Sequence, residues 1–114
     1  MKIREIRAVG LRGASPEGGW AEEILPDDCI HTLVAVLTDE GVTGYGSVYT
    51  NDDLTKAALK VLEPLYRGEN ALEPERVTEK LHQNTYWMGR GGSLTHAISG
   101  IHIALSQIHG KATG

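Results

Sequence analysis

The chain has 114 residues, 40% of them hydrophobic and 23% charged, with a formal net charge of −4. That length and composition fit one globular domain with a modest core rather than a disordered chain. The negative balance and the lack of a long Lys/Arg cluster exclude phosphate-dominated nucleic-acid binding, and no apolar run approaches the ~20 residues of a membrane span.

Cys29 is the only cysteine, so an internal disulfide and a cysteine-based metal site are both ruled out. The opening MKIREIRAV alternates charge with aliphatic residues and does not read as a secretory signal; a cytoplasmic protein is expected. There is no Phe, so the core must rest on Leu, Ile, Val and Ala.

Residues 2–11 read as a half-buried strand carrying Ile3, Ile6, Val9 and Leu11. The uneven step between Ile3 and Ile6 points to a bulge or a change of face. Residues 13–28 are a long loop, rich in Gly, Pro and acids; such loops are lids, binding loops or solvated excursions. Residues 29–38 form the clearest strand, with Ile30, Thr32, Val34 and Val36 on one face and Leu33, Ala35 and Leu37 on the other. Apolar character on both sides predicts a central strand covered on both faces. Asp39, Glu40 and Gly41 supply a tight turn, and residues 42–48 return as a third strand. Gly44 and Gly46 leave one face of that strand bare, which permits close approach of another element.

From Thr50 the period becomes helical. Thr50, Asn51, Asp52 and Asp53 offer capping oxygens and early negative charge. Leu54, Ala57, Ala58, Val61, Leu62 and Leu65 make the predicted stripe, and Pro64 should end or kink the helix near Glu63. A second helix starts at Pro74 and runs to about Tyr86, with Val77, Leu81 and Met88 facing the core. The third covers residues 93–109, with Leu94, Ala97, Ile98, Ile101, Ala104, Leu105 and Ile108 in one sector. Thr95, Ser99, His102, Ser106 and His109 fill the adjoining polar sector. Strands first and helices after define an α+β fold: a three-stranded antiparallel meander followed by a bundle of about three helices.

No local motif supplies chemistry. The Gly44–Ser47 run lacks dinucleotide-loop spacing, and the glycines at 89–92 lack the Lys-Ser/Thr of a phosphate loop. Ser47 and Cys29 have no sequence-local base. His102 and His109 are too far apart on one helix to share an ion, and the loop acids lack the oxygen spacing of a calcium site. Neither a catalytic residue nor a metal ligand is expected in this chain. Trp20, set among glycines and acids, either folds back as a hydrophobic plug or covers a ligand.

Three stretches, taken in order, carry a resemblance: Met1-Lys2-Ile3; the turn from Thr38 through Gly41 to Gly46; and the last helix from Ile98 through Leu105 to Gly110 and Lys111. Arg67-Gly68-Glu69-Asn70 and the glycines at 89–92 fall at fitting positions between them. Together these resemble the N-terminal capping domain of the mandelate racemase/muconate lactonizing branch of the enolase superfamily. The resemblance implies a cap over the mouth of a modified TIM barrel. That barrel would carry the acid/base residues and hold Mg²⁺, abstracting a proton beside a substrate carboxylate, as in racemases (isomerases), dehydratases (lyases) and cycloisomerases. It implies substrate contacts on two cap loops, with Trp20 on the first and Tyr49 and Asn51 on the second. The implied partners are the barrel domain and, with it, a small carboxylate or acid-sugar substrate.

The last helix departs from the family pattern. His102 stands where Asp is usual, Ser106 where Trp is usual and Gln107 where a second Asp is usual. The sequence stops at Gly114, where a first barrel strand would begin. The expectation is therefore a single capping domain over residues 1–114, cut from its barrel, resurfaced and inactive alone. The alternative is a stand-alone interaction or scaffold module. It would self-associate as a homodimer through the altered helix, with His102 of one chain near His109 of its mate and a zinc ion as a possible bridge.

Overall fold

The computed structural model describes residues 1–11, 31–88 and 92–114. The loop predicted at 13–28, the strand start at 29–30 and the glycine turn at 89–91 lie outside the described residues.

Strands β1 (Ile3–Leu11), β2 (His31–Thr38) and β3 (Thr43–Val48) form one antiparallel sheet in the order β1-β2-β3, the expected meander. The β2–β3 turn closes where Thr38 N–H donates to the Val42 carbonyl at 3.1 Å, with Gly41 at φ 78°, a value an L side chain rarely adopts. The uneven step in β1 is a register irregularity between Ile3 and Glu5. It brings both Ile3 and Ile6 into the core.

Burial in β2 is strictly two-fold: Thr32, Val34, Val36 and Thr38 are buried, whereas His31, Leu33, Ala35 and Leu37 are only half-buried. β2 is central, and the expectation that both its faces are covered holds fully for one face and only in part for the other. The buried residues all lie on the face that meets the helices. The second face stays partly open and continues through Val9, Leu11 and Tyr45, all exposed.

Helix α1 (Asp52–Tyr66) is capped by Asn51, whose Oδ1 accepts from the Asp53 and Leu54 N–H groups. Its buried residues are Thr55, Ala58, Leu59, Leu62 and Tyr66. The predicted stripe was turned too far: Leu54 is 52% and Val61 47% exposed. Thr55 takes the inward position because its Oγ1 donates locally to the Asn51 carbonyl at 2.9 Å and reaches the core with its donor satisfied. Pro64 does not end the helix. It sits in the last turn, where one backbone bond is forfeited, and burial of Tyr66 beyond it holds that turn in place.

Helix α2 (Pro74–Thr85) buries Val77, Leu81 and Thr85. Met88, expected on that stripe, lies in the 3-10 turn Tyr86–Met88 and is 44% exposed, because the chain leaves the α-helical period at Tyr86. Helix α3 (Ser93–Thr113) runs a turn beyond its predicted end and buries Ala97, Ile98, Gly100, Ile101, Ala104, Leu105 and Ile108. Of the predicted stripe only Leu94 is partly exposed.

α3 lies directly on β3, as the bare glycine face of that strand predicts. A Cβ at Gly44 would collide with the Ala104 carbonyl, and one at Gly46 with the Gly100 carbonyl. Gly100 in turn faces Val48. Among the described residues, the buried polar side chains of Thr32, Thr38, Thr55 and Thr85 each donate their hydroxyl to a backbone carbonyl. Away from the sheet, Glu69 ties the α1–α2 connection to α2 through Lys80 and Arg76, both at 2.7 Å. Hydrogen bonding from Lys80 first and Arg76 second holds the Glu69 carboxyl below the usual carboxylate range.

Candidate functional site

Segment 49–51 leaves β3 and enters α1, and its backbone is fastened from both sides. Thr32 Oγ1, fully buried on β2, donates to the Thr50 carbonyl at 2.8 Å. The Asn51 carbonyl accepts from Thr55 N–H at 3.0 Å and from Thr55 Oγ1 at 2.9 Å. β2 on one side and α1 on the other thus tie down one short connection, so its side chains project from a hydrogen-bonded backbone.

Tyr49 projects from that base with 58% of its surface exposed. Its ring meets the ring of His31 edge to face, with centroids 4.8 Å apart and planes at 84°. The two residues stand across from each other one step beyond the Thr32–Val48 pair of the sheet. Leu11, paired with His31 on the other side, is 40% exposed. An imidazole, a phenol and an aliphatic side chain therefore share one end of the sheet.

Of the sequence candidates, Tyr49 and Asn51 fall at this end, and Trp20 lies outside the described residues. Asn51 is half-buried and spends its side-chain oxygen on the helix cap, at 2.8 Å from Asp53 N–H. Only its amide NH₂ is left to meet a ligand. His31 was not among the candidates. Its signal was available, since strand alternation and the tight turn at 39–42 together place it opposite Tyr49.

The polar sector of α3 has separate work. Gln107 Oε1 accepts from Tyr45 N–H at 2.8 Å, and Lys111 Nζ donates to the Thr43 carbonyl at 2.6 Å, so α3 closes the outer edge of β3. His102 Nε2 lies 2.8 Å from Glu75 Oε1 across an open groove between α2 and α3, lined also by Thr78, Glu79, His82 and Ser99. Ser106 and His109 are exposed. Among the described residues, no three His, Cys, Asp or Glu side chains are gathered to hold a metal ion, and no helix is long and apolar enough to cross a membrane.

The sequence pattern of the mandelate racemase / muconate lactonizing enzyme N-terminal domain matches residues 28–114. A D-xylonate dehydratase of Haloferax volcanii is 41% identical over 120 residues, an alignment covering 96% of this chain and 28% of that enzyme. A D-galactonate dehydratase family member of Paenibacillus sp. is 38% identical over 88 residues, covering 73% of this chain and 21% of its own length. Among solved structures, the 3,6-anhydro-D-galactonate cycloisomerase of Zobellia galactanivorans superposes with a TM-score of 0.80 at 25% identity, over 99% of this chain and 29% of that one. The chain therefore spans only about a quarter of the proteins it is similar to.

Proposed function

The chain belongs to the mandelate racemase / muconate lactonizing enzyme N-terminal domain family, and from that premise we propose that it is the substrate-facing cap of a Mg²⁺-dependent acid-sugar dehydratase. The observation that carries this reading is the alignment of 96% of the chain with a D-xylonate dehydratase of which it spans 28%. In this reading the remaining part of the enzyme is a barrel that holds the metal and the acid/base groups. The cap performs no proton transfer; it closes over the substrate and excludes water.

Two features of the chain suit that task. The rigid connection 49–51 presents Tyr49, a large ring that can cover a polyol chain while its hydroxyl bonds to it. Trp87 at 70% and Ile103 at 50% exposure leave apolar surface of the kind that a second domain covers.

The test is a cap exchange. This chain replaces the aligned segment of the Haloferax volcanii enzyme, and turnover is measured over a panel of aldonates. The chimera should turn over aldonates with a preference different from the unexchanged enzyme's, and the isolated chain should turn over none. A chimera that turns over none, or one with an unchanged preference, would sink the proposal. Light scattering on the isolated chain addresses the self-association alternative: a discrete dimer would favour an interaction module over a cap.

A further inference from the structure

We infer that His31 is a positioning residue that fixes the ring of Tyr49, and that the His31–Tyr49 pair selects among linear polyhydroxy acids. The inference rests on the cap reading above and adds to it a residue and a division of labour.

The backbone that follows Tyr49 is tied by hydrogen bonds from Thr32 and Thr55 and by the Asn51 cap, which leaves the side chain as the main freedom. With 58% of Tyr49 exposed, the core does not choose its rotamer. Among the described residues, the aromatic contact on that ring is the edge-to-face one from His31, at 4.8 Å and 84°. An aromatic pair of this kind favours the held arrangement about two- to tenfold over the alternatives. Without it, ordering the ring would be charged to substrate binding. His31 itself has little choice of position, being half-buried in strand β2 and flanked by Leu11 on the neighbouring strand.

The held ring offers a flat apolar surface with a hydroxyl at its tip, beside an imidazole able to donate or accept one hydrogen bond. That combination suits an extended chain of alternating C–H and O–H groups. A change in chain length or in the configuration of one hydroxyl would move a polar group against the ring and be resisted. The pair therefore bears on which aldonate binds, and the barrel's chemistry is left alone.

The chimera above is the vehicle, with His31→Ala, His31→Phe, Tyr49→Ala and the double variant His31→Ala/Tyr49→Ala. His31→Ala should raise KM for the preferred aldonate about two- to tenfold and leave kcat within about twofold. His31→Phe, which keeps a ring against Tyr49, should recover most of that loss. The double variant should be no worse than Tyr49→Ala alone, since the two residues act as one unit. If Tyr49→Ala raises KM while His31→Ala does not, or if the two effects simply add, His31 has no positioning role and the cap reading stands. If neither variant nor the cap exchange alters preference, the cap reading falls with it. Should His31→Ala fail to fold, as judged by circular dichroism of the isolated chain, His31→Phe and His31→Leu decide between them. Recovery by Phe and not by Leu supports the role, and equal behaviour refutes it.

Discussion

Replacing Gly46 by Ala adds one methyl group at the point where β3 and α3 come closest. The new Cβ would sit far inside van der Waals contact distance of the Gly100 carbonyl oxygen, with the Gly100 carbonyl carbon at 3.0 Å and the Ala104 nitrogen at 3.2 Å. All three are backbone atoms of a 21-residue helix, and no rotamer can relieve the clash. α3 must instead lift off the sheet by roughly an ångström, loosening the contacts of Ile101, Leu105 and Ile108, each fully buried. Overpacking of this sort costs about 1–3 kcal/mol, and backbone on every side puts Gly46→Ala near the upper end. The stiffer unfolded chain returns about 0.4–1 kcal/mol, for a net loss near 2 kcal/mol. At roughly 4 °C per kcal/mol for a chain of this size, the thermal midpoint should fall by about 8 °C. Gly110 is the control: it lies in the same helix with nothing within 4 Å of a Cβ, so Gly110→Ala should gain up to about 1 kcal/mol from helix propensity. Urea and thermal denaturation followed at the helical circular-dichroism band measure both. A Gly46→Ala midpoint within about 2 °C of the wild type's would refute the argument that β3 is bare because α3 needs the space.

Two pH dependences follow from the buried and paired groups. Burial pushes the Tyr66 phenol up to about 12, with the Glu63 charge adding to it, whereas an unfolded Tyr ionises near ~10. The unfolded state therefore loses its proton first, and stability should fall from about pH 10 upward. Tyr66→Phe should flatten that alkaline limb in denaturation curves taken between about pH 9 and 12; an unchanged slope would show that another group is responsible. Glu69 has the opposite sign. Its carboxyl is held below the usual range by Lys80 and then Arg76, so its contribution is present at neutral pH and is lost as acid titrates it through the lowered value. Glu69→Gln should cost no more than about 1 kcal/mol at pH 7 and should show a shallower acid limb than the wild type.

Much of the fold was legible because it follows from two strong periodicities. The two-residue alternation around Val34 and Val36, and the α3 stripe from Ala97 to Ile108, both reappear as burial. The departures arise where local bonding or packing outweighs an apolar count. Thr55 displaced Leu54 from the inward side because its hydroxyl finds the Asn51 carbonyl within its own helix turn, a bond invisible to an apolar count. Pro64 is tolerated because it forfeits a single N–H bond in the last turn and burial of Tyr66 anchors that turn. β2 looked doubly covered because Leu33 and Leu37 are apolar, yet strands in antiparallel sheets often keep one face open. At the site, Tyr49 came into view through family resemblance, and Asn51 through its capping chemistry as well. His31 carries no signal in its own neighbourhood; it gains one only when the tight turn at 39–42 is used to set the cross-strand register that places it opposite Tyr49.

The stripe of glycines and the site at the end of the sheet are linked by one chain of contacts. Because Gly44 and Gly46 carry no side chain, α3 approaches β3 closely enough for Gln107 to accept from Tyr45 N–H and for Lys111 to reach the Thr43 carbonyl. Those bonds satisfy an edge strand that would otherwise be free to fray or to pair with another chain. A fastened β3 delivers Val48 to Thr32 in register, and Thr32 then holds the Thr50 carbonyl. The position of Tyr49 thus depends on packing that begins at Gly44 and Gly46, away from that end of the sheet. Lifting α3 with Gly46→Ala should therefore do more than lower stability. Amide exchange at Val48 and Tyr49 should accelerate by more than at Ile6 or Ala8 on the far strand. Equal acceleration across the sheet would mean that the site's rigidity is global and owes nothing in particular to the helix–glycine contact.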